Sequence, residues 1–267
     1  MSNGSSYNTS GFIANFYDHV GPYRDRSDIS FYVDLAKKST GPVLELGCGT
    51  GRILLPTAEA GVEIVGLDSS SEMLRVCRQR LVDIPESARA NVRLAEDDMC
   101  CFDLPDRFEL ITIPFRPFQH LETVDAQIQT LGCVHRHLAD RGRLVFDVFY
   151  PSLKALVAEN FGEELGEEPE FTMPTGEKVV RRHRVMARDH VNQLNHVELI
   201  YYVTFPDGRE ERHVHAFTMR HFFRFEIEHL LARCGFELVT IYGDFEGNPL
   251  DGKHCTDMIC VARKCST

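Results

Sequence analysis

At 267 residues, 43% hydrophobic and 26% charged, the chain suits one large domain or one domain with a sizeable insertion and is too apolar for disorder. Its 29 Lys and Arg against 40 Asp and Glu leave a formal net charge of -11, which repels nucleic-acid phosphates unless the basic residues gather into one patch. No apolar run approaches bilayer length, and the opening MSNGSSYNTSGF has neither the basic start nor the apolar stretch of a secretory signal, so a cytoplasmic location is expected.

Residues 1–10 are small and polar, the composition of a frayed terminus. From residue 16 to 38, Phe16, Tyr17, Tyr23, Phe31 and Tyr32 recur among charges, predicting one or two short helices ahead of the main sheet. Gly41-Pro42 breaks the chain, and the apolar run 43–46 reads as a buried strand delivered into glycines. Residues 52–60 read as the helix behind it and 63–67 as a second strand closing at Asp68. Ser69, Ser70, Ser71 and Glu72 offer an N-cap to a helix reaching Leu81. Further strands are expected at 92–95, 108–113 and 143–149, with a helix at 123–138.

Past Pro151, residues 177–221 alternate β-branched and aromatic residues with charge, and Asp207-Gly208 between two such runs is a hairpin signal. The acidic stretch 159–170 reads as a solvated loop or helix face. A helix over 225–234 is stopped by Gly235, and strands follow at 236–242 and 258–263. Strands alternating with helices in units of this size predict an α/β fold, a Rossmann-like, doubly wound, seven-stranded sheet with an antiparallel β insertion after the fifth strand. The expected division is a helical cap (1–40), a core (41–150), an inserted cover (151–221) and a completion of the core sheet (222–267). The ligand edge of such a sheet is the carboxyl end of its strands.

The strongest motif is Glu45-Leu46-Gly47-Cys48-Gly49-Thr50-Gly51-Arg52, a strand leading through three singly spaced glycines into a helix. Glycine there lets the backbone turn sharply and approach a ligand. A dinucleotide-binding loop shares this plan, but its fingerprint is G-x-G-x-x-G rather than G-x-G-x-G. Asp68 closes the second strand near the separation expected of an acid that accepts from ribose hydroxyls, with capping of the next helix as the other reading.

On these residues the chain resembles the class I S-adenosylmethionine-dependent methyltransferases, over roughly residues 43–150 and again over 222–263. The resemblance implies that the loop carrying Gly47, Cys48, Gly49, Gly51 and Arg52 faces the methionine part of S-adenosyl-L-methionine, with Glu45 orienting its amino group. It also implies that Asp68 holds the ribose hydroxyls and that Ser69 and Met73 border the adenine and ribose. Asp97-Asp98-Met99 resembles the segment where an acid accepts from the adenine amino group; Asp98 fits best, although relatives often carry glycine where Asp97 stands. Pro114, after the fourth strand, and Tyr17, in an amino-terminal segment that often folds over the cofactor, complete the implied cofactor site.

Methyl transfer is an in-line displacement that requires alignment and exclusion of water, with a base useful only for a protonated acceptor. His120 is the candidate base, with a packed or helix-capping histidine as the other reading, and Arg116 reads as a structural ion pair or a substrate contact, beside Phe115 and Phe118 at the edge where the reacting methyl emerges. Tyr23 shares the amino-terminal segment of Tyr17, where the resemblance implies a lid and their rings suit a cation near the methyl group, with surface packing as the other reading; Asp147 closes the fifth strand facing the same edge. Arg181, Arg182, Arg184, Arg212 and Arg220 give the inserted cover a basic face, consistent with an anionic small molecule. His183, His190, His196, His213, His215 and His221 lack the companion ligand spacing of a metal site, and Cys255, Cys260 and Cys265 lack a C-x-x-C pair, so no metal is expected and the nine cysteines read as reduced thiols. The expected activity is direct methyl transfer to nitrogen or oxygen of a small molecule, without a nucleic-acid or membrane partner. The rival readings are a protein or nucleic-acid methyltransferase, a non-catalytic S-adenosylmethionine-binding protein and a nicotinamide-dependent dehydrogenase.

Overall fold

A computed structural model describes residues 11–24, 26–166, 168–251 and 255–265; the terminus expected to fray, residues 1–10, lies outside them. Three helices come first: α1 (Gly11–Phe16), α2 (Gly21–Arg24) and α3 (Asp28–Lys37). Then β1 (Val43–Leu46), α4 (Leu54–Glu59), β2 (Ile64–Asp68), α5 (Ser71–Leu81), α6 (Glu86–Arg89), β3 (Val92–Glu96), β4 (Phe108–Ile113), α7 (Val124–His137) and β5 (Leu138–Phe149) build the body of an α/β layer structure. The insertion holds α8 (Leu153–Leu156), β6 (Phe171–Thr172), β7 (Lys178–Asp189), β8 (Leu194–Thr204) and β9 (Glu210–Arg220). The chain then returns as α9 (Arg224–Arg233), β10 (Phe236–Tyr242) and β11 (Asp257–Lys264).

The main sheet has the order β3-β2-β1-β4-β5-β11-β10. Its first five strands are parallel, and β11 runs antiparallel to both β5 and β10. Strand periodicity sorts the core into two layers. Leu44, Leu46, Ile111, Ile113, Leu144 and Phe146 face a layer that includes Leu131 of α7 and Ile227 of α9. Val43, Leu110 and Val145 face the opposite layer, with Tyr32 and Ala36 of α3 and Leu54 of α4. The same alternation directs Glu45, Thr112 and Asp147 toward the α3 side at the carboxyl ends of three central strands. On α3, the buried positions Asp28, Tyr32 and Ala36 form a one-face stripe at four-residue spacing.

The antiparallel insertion forms a second sheet, β6-β7-β8-β9. Its β8–β9 turn is the expected one: Gly208 has φ +85 and its N–H donates to the Phe205 carbonyl at 2.9 Å. This sheet packs on the amino-terminal helices, with Val179, Tyr201 and Val203 in one cluster with Ile13, Ala14, Val20, Met73 and Val76. Gln119 stitches the layers together: its Oε1 accepts from Phe149 N–H at 2.8 Å, and its Nε2 donates to the Arg220 carbonyl at 2.7 Å. The helices before the sheet begin earlier than the sequence predicts, at Gly11. All nine cysteines are free of disulfides, and among the described residues no helix is long and apolar enough to cross a membrane.

Candidate cofactor and acceptor site

The glycine loop lies between β1 and α4 at the carboxyl edge of the parallel strands. Gly49 has φ +54, and a Cβ added there would meet no protein atom within 4 Å; its N–H donates to Asp68 Oδ2 at 2.8 Å. Gly51 has φ +86, but a Cβ there would lie 2.8 Å from Cys77 Sγ and 3.0 Å from Leu55 Cγ. Gly49 thus opens toward the ligand edge, whereas Gly51 brings the loop against α5 and α4. Gly47 and Pro117 are also in close approach, linking the loop to the turn after β4, and Cys48 is buried behind it.

Asp68 sits beside Gly49 at the end of β2. Its Oδ1 accepts from Ser70 N–H at 2.8 Å, which also fixes the turn into α5. Burial raises its carboxyl above the ordinary range, and the backbone donors of Ser70, Gly49 and Ser69 oppose that shift. Ser69 is exposed on the same turn. Met73, implied to border the adenine and ribose, is packed in the cluster that joins the amino-terminal helices to the cover. Beyond β3, Asp97 Oδ1 accepts from Asp98 N–H and Asp98 Oδ1 from Cys100 N–H, both at 2.8 Å. Asp98 is the exposed member of the pair, Asp97 half-buried, and Met99 approaches Gly47.

Glu45 is 2% exposed and its Oε2 has no hydrogen-bond partner in the protein. Burial pushes its carboxyl up to about 8, against the attraction of the Arg52 guanidinium. A buried acceptor with no donor is costly unless a ligand supplies one. The ammonium group of S-adenosylmethionine has the charge and donors for that place, so the donor set fits the cofactor. The bound cofactor would supply an electrophilic methyl group on a sulfonium. Arg52, implied as a cofactor contact, is spent otherwise: Nη1 and Nη2 bind Asp28 at 2.8 and 2.6 Å, and Nη1 donates to the Tyr23 carbonyl at 3.1 Å. Its neighbourhood to Glu45 is electrostatic.

The turn after β4 is strained. Pro114 is buried, and Phe115 and Arg116 take consecutive left-handed conformations, φ +67 and +72, which non-glycine residues adopt only when their surroundings enforce it. Phe115 N–H donates to Asp147 Oδ1 at 2.8 Å, and the same oxygen accepts from Tyr32 Oη at 2.7 Å. Arg116 pairs with Asp257 at 2.6 Å and lies 3.4 Å from the centroid of the Phe149 ring. Arg26 bonds the same Asp257 oxygen at 2.8 Å. The candidate substrate contact Arg116 is therefore an ion-paired element of the turn. Phe115 stands under Arg52 at 4.5 Å and Arg26 at 5.1 Å, with the Tyr23 ring edge-on at 4.7 Å and Tyr17 at 6.1 Å. Tyr17 and Tyr23 thus place their rings against Phe115 of this turn.

His120 closes the same turn. Its Nδ1 is 3.2 Å from the Thr218 carbonyl on β9, so Nδ1 carries the proton and Nε2 the lone pair in the tautomer that this contact selects. Burial lowers its pKa, leaving it neutral at pH 7. Phe118, in contrast, is core.

The basic face expected on the cover is neutralised. Arg181 makes a two-pronged pair with Glu168, Arg184 bonds Glu198 at 2.6 Å, Arg182 and Arg212 approach Glu164 at 4.0 and 3.4 Å, and Arg220 bonds Glu226 at 3.0 Å. The acidic stretch, expected to be solvated, supplies Glu164 and Glu168 to that pairing. Among the described residues no three His, Cys, Asp or Glu side chains gather as a metal site; His213 pairs with Glu211 at 2.9 Å and His215 stacks on Phe217. Sequence reasoning missed Arg26, Asp28, Gln119 and Asp257, which hold the edge together. For Asp28 a signal existed, an acid on the same helix face as Tyr32 and Ala36.

Comparison with known proteins agrees with this geometry. A family model described as a methyltransferase domain matches residues 43–142. A putative methyltransferase, YqeM of Bacillus subtilis (strain 168), is 25% identical over 87% of this chain and 88% of its own. The dTDP-3-amino-3,6-dideoxy-α-D-glucopyranose N,N-dimethyltransferase of Streptomyces fradiae is 26% identical over 90% of each chain. The solved CcbJ methyltransferase of Streptomyces caelestis superposes with a TM-score of 0.78 at 21% identity, covering 99% of this chain and 100% of that one. With the glycine loop, the acidic strand ends and the seven-stranded order, these matches show a methyltransferase domain at residues 43–142 and liken the whole chain to the class I S-adenosylmethionine-dependent methyltransferases.

Proposed function

We propose that this enzyme methylates an amine nitrogen of a small polar metabolite enclosed beneath the antiparallel cover. The observation that carries this reading is the way β9 closes on the acceptor-edge turn. His120 meets the Thr218 carbonyl at 3.2 Å, Gln119 the Arg220 carbonyl at 2.7 Å, and Arg220 Nη1 the Glu122 carbonyl at 3.2 Å. A roof bonded to the reacting edge favours an acceptor that fits inside over a folded protein or a nucleic acid, which the net charge of -11 also disfavours. Because the cover arginines already have carboxylate partners, the enclosed surface suits a neutral or amine-bearing acceptor better than an anion. The Streptomyces fradiae relative, whose name specifies an amino sugar and N-methylation, matches across the cover as well as the core.

In this reading Glu45, Gly47, Gly49, Asp68, Ser69 and Asp98 hold the cofactor, with Tyr17, Met73, Asp97, Met99 and Pro114 bordering it, while Cys48 and Gly51 support the loop from behind. Glu45 takes the amino group and Asp68 the ribose. His120, neutral through burial, accepts the proton that a protonated amine must lose. No metal is required. The test is transfer of radiolabelled methyl from S-adenosylmethionine to uncharged-backbone amino sugars and other small polar amines, and to isosteres carrying hydroxyl in place of amine. Label on the amine compounds alone supports the proposal. Equal labelling of the hydroxyl isosteres, or labelling only of added protein or RNA, refutes it.

A further inference from the structure

The amino-terminal helices are fastened to the glycine loop at both residues flanking Gly51. At Arg52 the fastening is the buried two-pronged pair with Asp28. At Thr50 it is a three-way contact. Asp18, in the short turn Tyr17–His19, accepts from Thr50 Oγ1 at 2.9 Å and pairs with Arg80 of α5 at 2.9 Å, while Arg80 Nη1 donates to the Thr50 carbonyl at 3.0 Å. The two fastenings differ in depth. Asp28 is fully buried and Arg52 nearly so, whereas the Arg80 side chain is 35% exposed and that of Asp18 20%. A deep pair resists opening because breaking it strands a charge away from water, while a half-exposed one exchanges with solvent at small cost.

Tyr17, next to Asp18, places its ring 5.0 Å from Tyr23 and 6.1 Å from Phe115, over the reacting edge. The segment held by Asp18 therefore carries Tyr17 to the turn after β4 while Asp18 itself is bonded to the residue after Gly49. Burial raises the Asp18 carboxyl, and Arg80 and the Thr50 hydroxyl oppose the shift.

We propose that Asp18, Thr50 and Arg80 form the releasable pin that retains bound S-adenosylmethionine, with Asp28 and Arg52 as the fixed anchor of the same segment. These are positioning residues: they act on the cofactor through the glycine loop and Tyr17. The pin gates exchange: the cofactor enters and leaves only while it is open, so weakening it speeds dissociation, and association too in proportion to how far the pin is closed in the free protein. The inference rests on the cofactor and is independent of the acceptor.

The experiment binds radiolabelled S-adenosylmethionine to the full chain and chases it with unlabelled cofactor. Thr50→Val and Arg80→Gln are expected to release label about tenfold faster than wild type, the equivalent of one charge-assisted hydrogen bond. Thr50→Ser, which keeps the hydroxyl, is expected to release at the wild-type rate. Amide exchange in residues 12–24 of the bound protein rises in the two fast variants and not in Thr50→Ser. Wild-type release by Thr50→Val overturns the proposal, as does equal acceleration in Thr50→Ser or a change confined to association. Asp18→Asn is a third arm, and the Thr50 pair decides the matter if Asp18→Asn does not fold.

Discussion

Gly49 and Gly51 occupy similar left-handed conformations, yet their replacement by alanine has different consequences. An L-residue in this region costs about 1–2 kcal/mol, and losing glycine's freedom in the unfolded chain returns about 0.4–1 kcal/mol. For Gly49→Ala those are the protein's only terms, because the new methyl meets no protein atom within 4 Å; the net loss is at most about 1.5 kcal/mol. For Gly51→Ala the methyl arrives 2.8 Å from Cys77 Sγ and 3.0 Å from Leu55 Cγ, and overpacking adds about 1–3 kcal/mol, for a net loss of about 1–4.5 kcal/mol. Urea denaturation of the cofactor-free variants measures both, at constant denaturant slope. Calorimetric titration with S-adenosylmethionine gives the converse ranking: Gly49→Ala, although more stable, binds at least about tenfold more weakly because its methyl occupies ligand space. Equal destabilisation by the two substitutions, or wild-type affinity in Gly49→Ala, refutes the assignment of Gly49 to the cofactor and Gly51 to packing.

Glu45 makes cofactor binding a proton-linked event. Its carboxyl is raised to about 8 in the folded protein, so it is largely protonated at pH 7 and must ionise to meet an ammonium group. Titrations at pH 7 in buffers of different ionisation enthalpy should reveal proton release that is absent in Glu45→Gln. Since the raised value belongs to the folded state, its stability contribution is complete below the unfolded carboxylate range and is lost as pH rises toward about 8; Glu45→Gln should flatten that slope in the cofactor-free protein. Asp28→Asn leaves the 8%-exposed Arg52 side chain without its anion and should cost about 3–5 kcal/mol in thermal or urea unfolding, while a loss under 1 kcal/mol, about that of a surface pair, contradicts the anchor. Asp68→Ala removes the acceptor for both Gly49 and Ser70 N–H and should weaken S-adenosylmethionine binding about tenfold or more, measured by the same titration.

What was legible in the sequence is what short-range spacing encodes. The glycine loop and Asp68 are read from one strand, its turn and the next strand. The Ser70 cap of α5, whose side chain accepts from Met73 N–H at 3.3 Å, lies within three residues of its partner. Strand alternation likewise directs Glu45 and Asp147 to one side before any coordinates exist. The edge network has no such signature, because Arg26 meets Asp257 across 231 positions and Tyr32 meets Asp147 across 115. Counting arginines on the cover gave a basic face because their partners are scattered: Glu168 lies 13 residues from Arg181 and Glu164 48 from Arg212. The packing of Met73 was not legible for a related reason, since its position on α5 is local but the cluster covering it comes from α1 and the insertion.

The edge network joins Arg26, Arg52 and Arg116 to Asp28, Asp147 and Asp257, equal numbers of each sign, within or next to the core. A buried ion pair is no more stabilising than a well-packed apolar group of the same size, so stability alone does not explain six such residues at one place. Backbone geometry does. Phe115 and Arg116 hold left-handed conformations, and an apolar cluster has no directional means of fixing them. Asp147 accepts from the Phe115 N–H and Asp257 holds the Arg116 guanidinium. Tyr32 and Arg26, from the amino-terminal segment, hold those two carboxylates in turn. The turn that faces the acceptor thereby takes its shape from the core sheet, the last strand and the amino-terminal helices together. Its rigidity follows from directional bonds that an apolar core of equal stability would lack, which is why the charge is concentrated at the reacting edge of the sheet.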